Sequence, residues 1–242
     1  MGNQISKGTC TFCQRVVSKS AMTRHLETCQ QRVRLQSDNK GQQRQRPRRA
    51  FHLRVEGHRL PMYWMHLAID RNATLATLDQ FLRDIWLECC EHLSAFEVAG
   101  VHYRSEEELQ TGWYERARSM LTPLNEILHP GQLCEYEYDF GTSTELVIKV
   151  IAEEDVEARK SPIQILARNA LSSIPCDVCE EASAVVTCAC CLAQDKGWLC
   201  RSCAEKHPCE KQMLRPRVNS PRAGVCGYVG PRRTSFWEFP TD

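Results

Sequence analysis

Residues 134–151, CEYEYDFGTSTELVIKVI, decide how this chain folds. Tyr136, Tyr138 and Phe140 alternate with Glu135, Glu137 and Asp139. That period of two belongs to a strand with one face buried and the other in water. TELVIKVI, Thr144 to Ile151, is apolar enough on both sides to read as a more deeply buried strand. Working outward, FHLRVEG sets Phe51, Leu53 and Val55 against His52, Arg54 and Glu56. MYWMHLAID alternates likewise through Tyr63, Met65, Leu67 and Ile69. Thr74 caps a helix whose Leu75, Leu78, Leu82, Ile85 and Trp86 share one face. AFEVAGVHYR reads as one further strand. Thr122 and Pro123 open a short helix through Leu128, which Pro130-Gly131 stops. Strands and helices alternate without a strict repeat. The expectation is therefore α+β: a central mixed-sheet domain over residues 51–156 with helices on one face.

Cysteine usage sets the ends apart from this centre. Eleven of the fifteen cysteines fall in two spaced groups, each with a histidine. The first is Cys10-x2-Cys13-x11-His25-x3-Cys29. The second runs Cys176-x2-Cys179, Cys188-x-Cys190-Cys191, Cys200-x2-Cys203 and His207-x-Cys209. These are zinc-ligand spacings, because a structural zinc takes four Cys or His donors and short Cys-x2-Cys turns supply them in pairs. Cys10 and Cys13 flank a knuckle, Val16 and Val17 suggest a return strand, and Ser18 or Ser20 can cap a helix striped by Met22, Leu26 and Val33. On that helix His25 and Cys29 are four apart, so both reach one ion. The segment is too short to hold itself by apolar burial, so the metal supplies the missing stability. Cys89, Cys90 and Cys134 read as small buried hydrophobes, and Cys226 stands apart in the tail. His52, His58 and His66 fall in one possible hairpin and read as solvated or core histidines ahead of a third metal site.

The expected organisation is then a zinc finger at 1–36, a basic disordered linker at 37–50, the α+β domain at 51–156 and a short helical connector, SPIQILARNAL, within 157–175. A Cys/His-rich zinc module at 176–215 and an irregular tail at 216–242 follow, giving one Zn2+ in the finger and two in the module. Val218 to Gly230 could form a structured loop on the module, with no chemistry assigned to it.

Net charge is +1 over 242 residues, but it hides an asymmetry. Residues 1–50 carry 11 basic and 2 acidic side chains, residues 51–160 carry 10 and 20, and the rest 10 and 8. A basic arm is tied to an acidic core, so it either engages a polyanion or folds back on that core. Arg44, Arg46, Arg48 and Arg49 are the candidate phosphate contacts, although no aromatic residue interleaves them to stack bases. Glu135, Glu137, Asp139 and Glu145 read as a solvated sheet face ahead of a carboxylate pair for acid–base work. No phosphate-cradling glycine loop, Gly-x-Ser-x-Gly elbow or His-Glu-x-x-His motif occurs. Closed four-donor sets leave no position for a substrate, which favours a non-enzymatic role. No apolar run approaches the ~18 residues of a membrane span. MGNQISKG has no apolar region of a secretory signal. These thiols therefore point to a reducing, cytoplasmic compartment. Gly2 in Met1-Gly2-Asn3-Gln4-Ile5-Ser6 fits the myristoylation pattern, and with the arginines it would supply the two signals of membrane anchoring in a eukaryotic host.

The order FHLRVEG, MYWMHLAI, TLATLDQFLRDIWL, AFEV and YEYDFGTSTELVIKVI resembles the plasmid pRiA4b ORF-3-like family. The Tyr-x-Tyr-Asp-Phe-Gly run before a long apolar strand carries most of the likeness. Gly141-Thr142-Ser143-Thr144 stands where the family usually has a Gly-Asp-Gly-Trp-like turn. The resemblance implies an α+β domain, plasmid and mobile-element company, and no settled activity; that company argues for a prokaryotic host and against the lipid. The C-terminal cluster is similar to MYND fingers and B-boxes, whose four ligand pairs interleave. That likeness implies Cys176, Cys179, Cys200 and Cys203 on one zinc and Cys188, Cys191, His207 and Cys209 on another, with Cys190 spare or replacing Cys191. The final His-x-Cys pair is shorter than the MYND spacing. Together these features point to a zinc-binding adaptor. Its arm would engage nucleic acid or an acidic partner, and its C-terminal module a protein. The alternatives are a scaffold that binds no nucleic acid and a metal-dependent enzyme acting on nucleic acid.

Overall fold

The computed structural model describes residues 6–41, 48–156, 160–171, 173–192, 194 and 196–232. The N-terminal Met1–Ile5 pattern and Arg44 and Arg46 lie outside these. The finger contributes β1 (Lys7–Cys10), β2 (Val16–Ser18), α1 (Lys19–Thr28) and α2 (Gln30–Gly41). The central segment contributes β3 (Arg48–Gly57), β4 (Trp64–Asp70), α3 (Leu75–Leu82), β5 (Ser94–Val98), β6 (Val101–Arg104) and α4 (Glu106–Gln110). β7 (Arg118–Ser119), β8 (Leu133–Tyr138), β9 (Thr144–Val156) and β10 (Ile163–Asn169) complete it. These strands form one ten-stranded sheet in the order β2-β1-β10-β4-β3-β9-β8-β5-β6-β7. Its pairs are antiparallel except β6 with β7, so the sheet is mixed. The C-terminal region adds β11 (Val186–Cys188), α5 (Ala189–Leu192), β12 (Trp198–Leu199), α6 (Arg201–Glu205) and β13 (Leu214–Pro216), with a separate three-stranded sheet. The α+β architecture with cysteine-rich ends is as expected.

The alternation in β3 and β4 sorts their side chains onto two faces. Phe51, Leu53, Val55, Met65, Leu67 and Ile69 pack with α3 residues Leu75, Leu78, Phe81 and Leu82 in the main core. Thr74 starts α3 by accepting a hydrogen bond from the Thr77 amide at 3.2 Å. The helix ends in a π turn, Arg83–Leu87, that buries Ile85 and Trp86. The opposite face is covered as well. Ala50, Trp64, Ala68, Leu166 and Ala167 pack against Met22, Leu26, Cys10 and Cys29 of the finger. β3 and β4 therefore read as half-buried from pattern alone but are buried on both sides.

The finger is an extension of the sheet and not a separate bead. β1 pairs with β10, and Gly8 sits so close that a Cβ there would lie 2.3 Å from the Arg168 carbonyl and 2.6 Å from the Trp64 ring. Only glycine fits that approach. α2 begins at Gln30, so Val33 leaves the α1 stripe and is exposed. The helix also runs to Gly41 and β3 starts at Arg48, both inside the stretch expected to be a disordered linker.

Three further expectations are corrected. SPIQILARNAL is not a helical connector: Ile163–Asn169 is β10, hydrogen-bonded between β1 and β4. A short apolar run fits either period, and here pairing on both sides decides it. AFEVAGVHYR is a hairpin, because Ala99 and Gly100 take φ of 51° and 77°, the left-handed pair that reverses two strands. The segment after Thr122-Pro123 is a single 3-10 turn, Leu124–Glu126. In β8, Tyr136 and Tyr138 point inward as expected, but Asp139 at φ 66° breaks the alternation and leaves Phe140 exposed.

Candidate metal centres

In the finger, β1 delivers Cys10 and the chain doubles back at Gln14, whose φ of 57° closes the knuckle with its amide 2.9 Å from the Cys10 carbonyl. α1 carries His25, and Cys29 caps its C-terminus. Cys10 Sγ lies 4.0 Å from Cys29 Sγ, and Cys13 Sγ lies 3.4 Å from His25 Nε2. In the C-terminal region Cys176 and Cys179 flank a turn, Cys200 caps α6 and Cys203 lies on it. Cys179 Sγ and Cys200 Sγ are 3.8 Å apart. Cys188 ends β11 and Cys191 lies on α5. Cys191 Sγ is 3.4 Å from His207 Nε2 and 3.7 Å from Cys209 Sγ. Asp177 ties the two halves by accepting from the Gly197 and Trp198 amides, each at 2.7 Å.

These twelve residues come together as three groups: Cys10, Cys13, His25, Cys29; Cys176, Cys179, Cys200, Cys203; and Cys188, Cys191, His207, Cys209. Within each group the donor atoms lie within 4.8 Å of one another. The C-terminal pairs interleave, and Cys190 is exposed and outside both groups. A tetrahedral zinc with bonds of about 2.3 Å to sulfur and 2.0 Å to nitrogen has edges of about 3.8 Å and 3.5 Å. The observed separations match those edges and are far from a disulfide length. The donor chemistry and geometry fit zinc.

A fourth group of the same kind exists, Cys89, Cys90, His92 and Cys226, so among the described residues the candidate clusters number four and not the expected three. Cys89 is buried but lies in this group, and Cys90 is exposed, so neither is a plain core residue; Cys134 alone is, and burial pushes its thiol up to about 12. The signal that could have found the group is Cys-Cys-x-His itself, three donors in four positions. Its partner is 136 residues beyond Cys90.

Other candidate residues are placed differently. Arg48 lies 3.4 Å from Asp70, and Arg49 lies 3.2 Å from Glu153 and 3.8 Å from Asp155. Arg32, buried beneath Phe12, pairs with Glu154, and Lys19 lies 2.7 Å from Glu56. Lys19, Arg32, Arg48 and Arg49 of the basic arm thus face carboxylates of the central sheet. Glu135 is exposed, as expected, but Asp139 is not on a solvated face. It accepts from fully buried Arg222 at 2.5 Å. Burial works against the Asp139 carboxylate, but Arg222 and the Gly141 and Thr142 amides outweigh it and hold its pKa below the usual range. Arg222 also donates to the Thr142 carbonyl at 3.0 Å and to Thr144 Oγ1 at 2.9 Å. After Pro216 the described tail has turns but no helix or strand, and it packs on both bodies. The Arg217 amide donates to the Val185 carbonyl at 3.0 Å and Gly224 lies against Leu192 and Thr187 of the module, while Tyr228 joins the main core and Ser220 donates to the Trp86 carbonyl at 2.6 Å.

His52 and His66 are both buried, with His52 Nε2 2.8 Å from His66 Nδ1, while His58 is exposed and apart. Burial, then neighbouring positive charge, depresses both, His52 to about 3 and His66 to about 2. Unfolded histidine takes up a proton near pH 6.5, which the folded pair refuses. Stability from this pair is therefore present above pH 6.5 and is lost as pH falls below it. Between pH 7 and 5 each histidine is expected to cost about 2 kcal/mol. Denaturant midpoints should show His66→Gln losing roughly half of the pair's pH dependence, with acid loss of metal common to both proteins.

Among described residues, no helix is long and apolar enough to cross a membrane. No curated protein matches the chain. Among solved structures, a protein of unknown function from Methanosarcina mazei Go1, MM3350, is similar at 16% identity, with TM-score 0.43 over 50% of this chain and 68% of that one. The family model for the plasmid pRiA4b ORF-3-like protein matches residues 49–185, which takes in the sheet from β3 to β10. That match spans more than half of the 242 residues, and the chain belongs to the plasmid pRiA4b ORF-3-like family.

Proposed function

We propose that this protein is a non-enzymatic, zinc-stapled adaptor of a reducing compartment that acts through protein surfaces. The observation that carries the reading is the closed donor sets: each predicted group supplies four Cys or His atoms, and a zinc so held has no open position for substrate or activated water. One ion belongs to Cys10, Cys13, His25 and Cys29. Two belong to the interleaved C-terminal sets, Cys176, Cys179, Cys200 and Cys203 with Cys188, Cys191, His207 and Cys209. The C-terminal module, with Val178 and Val185 exposed, is the surface for a protein partner. The family's plasmid name supports a setting among mobile elements.

The second reading, nucleic-acid binding through the arm, now rests on Arg44 and Arg46, since Arg48 and Arg49 face carboxylates. Fluorescence anisotropy with labelled DNA and RNA across a salt series separates the two. The scaffold reading expects no binding at low salt. Binding that falls by about 0.9 log unit per log of salt for each phosphate contacted, and vanishes in Arg44→Gln/Arg46→Gln, would replace it. Substitution is the right perturbation, because deleting residues 1–50 removes β1 and β2 from the sheet. Nuclease activity with magnesium or manganese would instead favour the enzyme.

A further inference from the structure

We propose that Cys89, Cys90, His92 and Cys226 bind a fourth zinc ion, which fastens the tail across the central domain. Cys90 Sγ lies 3.9 Å from Cys226 Sγ, and Cys226 Sγ lies 3.5 Å from His92 Nε2. These are the same tetrahedral edges as in the three predicted groups. The first three ligands follow the π turn Arg83–Leu87, and the fourth arrives from a tail held by Ser220, Arg222 and Tyr228. Glu91 and Cys226 take φ of 60° and 50°. Non-glycine residues adopt that conformation at a cost and keep it where surroundings demand it. Here it turns His92 and Cys226 toward the other two ligands.

The charge around the cluster is suited to a metal. Three thiolates and Zn2+ leave a net charge of −1. Arg222, fully buried, places Nη2 3.4 Å from Cys89 Sγ while holding Asp139, so one guanidinium faces both the cluster and the carboxylate, and with zinc bound the three together carry −1. The edge of Tyr138, with ring centroids 5.7 Å apart, sets the His92 ring so that Nε2 faces Cys226 Sγ, and Asp139 Oδ2 lies 3.5 Å from that same nitrogen. Packing of this kind and the Arg222 donor on Cys89 orient the ligands around a metal. The site differs from the other three in that two of its sulfurs, Cys90 and Cys226, are exposed. It is the ion that a chelator in solution reaches first.

Zinc counted by native mass spectrometry on the full chain should give one ion fewer in Cys90→Ser/Cys226→Ser than in the wild type, and no change in Cys190→Ser. A chromogenic chelator should draw one equivalent in a fast phase that the double variant lacks. Hydrogen exchange over residues 217–232 should speed up at least tenfold in that variant. Equal zinc in wild type and double variant overturns the proposal. Cadmium-113 NMR of the wild type reads the same question without substitution. Four resonances support it, one from an all-thiolate site and three from sites of three thiolates and an imidazole. Three resonances with two of the mixed type, or a Cys90–Cys226 disulfide in reduced protein, overturn it.

Discussion

Replacing Cys10 with Ser is expected to release one metal ion and to open the edge of the central sheet as well as the finger. Structural zinc in small fingers binds with an apparent ~10–16 kcal/mol at neutral pH, far more than so short a segment gains by apolar burial. Cys10 is a ligand candidate, a core residue beneath Trp64, and the strand partner of Ala167. Losing its thiolate therefore undocks β1, β2 and α1 together. Hydrogen exchange should rise at Gly8 to Cys10 and at Ala167 to Asn169. Cys179→Ser provides the contrast. Its group belongs to the module whose three-stranded sheet is separate, so loss of that ion should unfold residues 176–216 and leave exchange in β3, β4 and β9 unchanged. Unchanged metal content in either variant would refute the ligand assignment.

Arg222→Met should destabilise the fold by about 3–5 kcal/mol, the cost of stranding one partner of a buried ion pair. Asp139 would keep its charge beside a side chain that offers no donor, and Thr142 and Thr144 would lose theirs. Denaturant unfolding measures the loss. Asp139→Asn in the same background should recover much of it, because the uncompensated charge is then gone. Additive losses in the double variant would mean that the pair is uncoupled and that Arg222 acts by packing alone.

The parts legible in the sequence are those whose information is local. Tyr136, Tyr138 and the run from Thr144 to Ile151 announce two paired strands because period two is written in consecutive residues. The twelve predicted ligands are legible because each pair is close in sequence, joined by a knuckle or by a turn of helix, and their donor atoms come together in three groups. The parts not legible depend on neighbours distant in the chain. Ile163 and Ile165 face the main core while Leu166 and Ala167 face the finger, so the run carries no clean period. Ala99-Gly100 lacks the Asn-Gly or Asp-Gly that marks a two-residue turn. Cys90 meets Cys226 only once the tail has crossed the domain, and nothing between them in sequence signals it.

The placing of β1 has a consequence for how the molecule behaves in a crowd. The sheet ends in β2 and β7, strands of three and two residues, too short to recruit another chain. Were the finger to let go, the new border would be β10, seven residues long and carrying Ile163, Ile165 and Leu166. A long apolar border with free amides and carbonyls is a template for strand addition from a neighbouring copy. Starved of metal at its N-terminal cluster, this chain should therefore clump through its own sheet before it unfolds, and metal supply then sets how much of it stays dispersed.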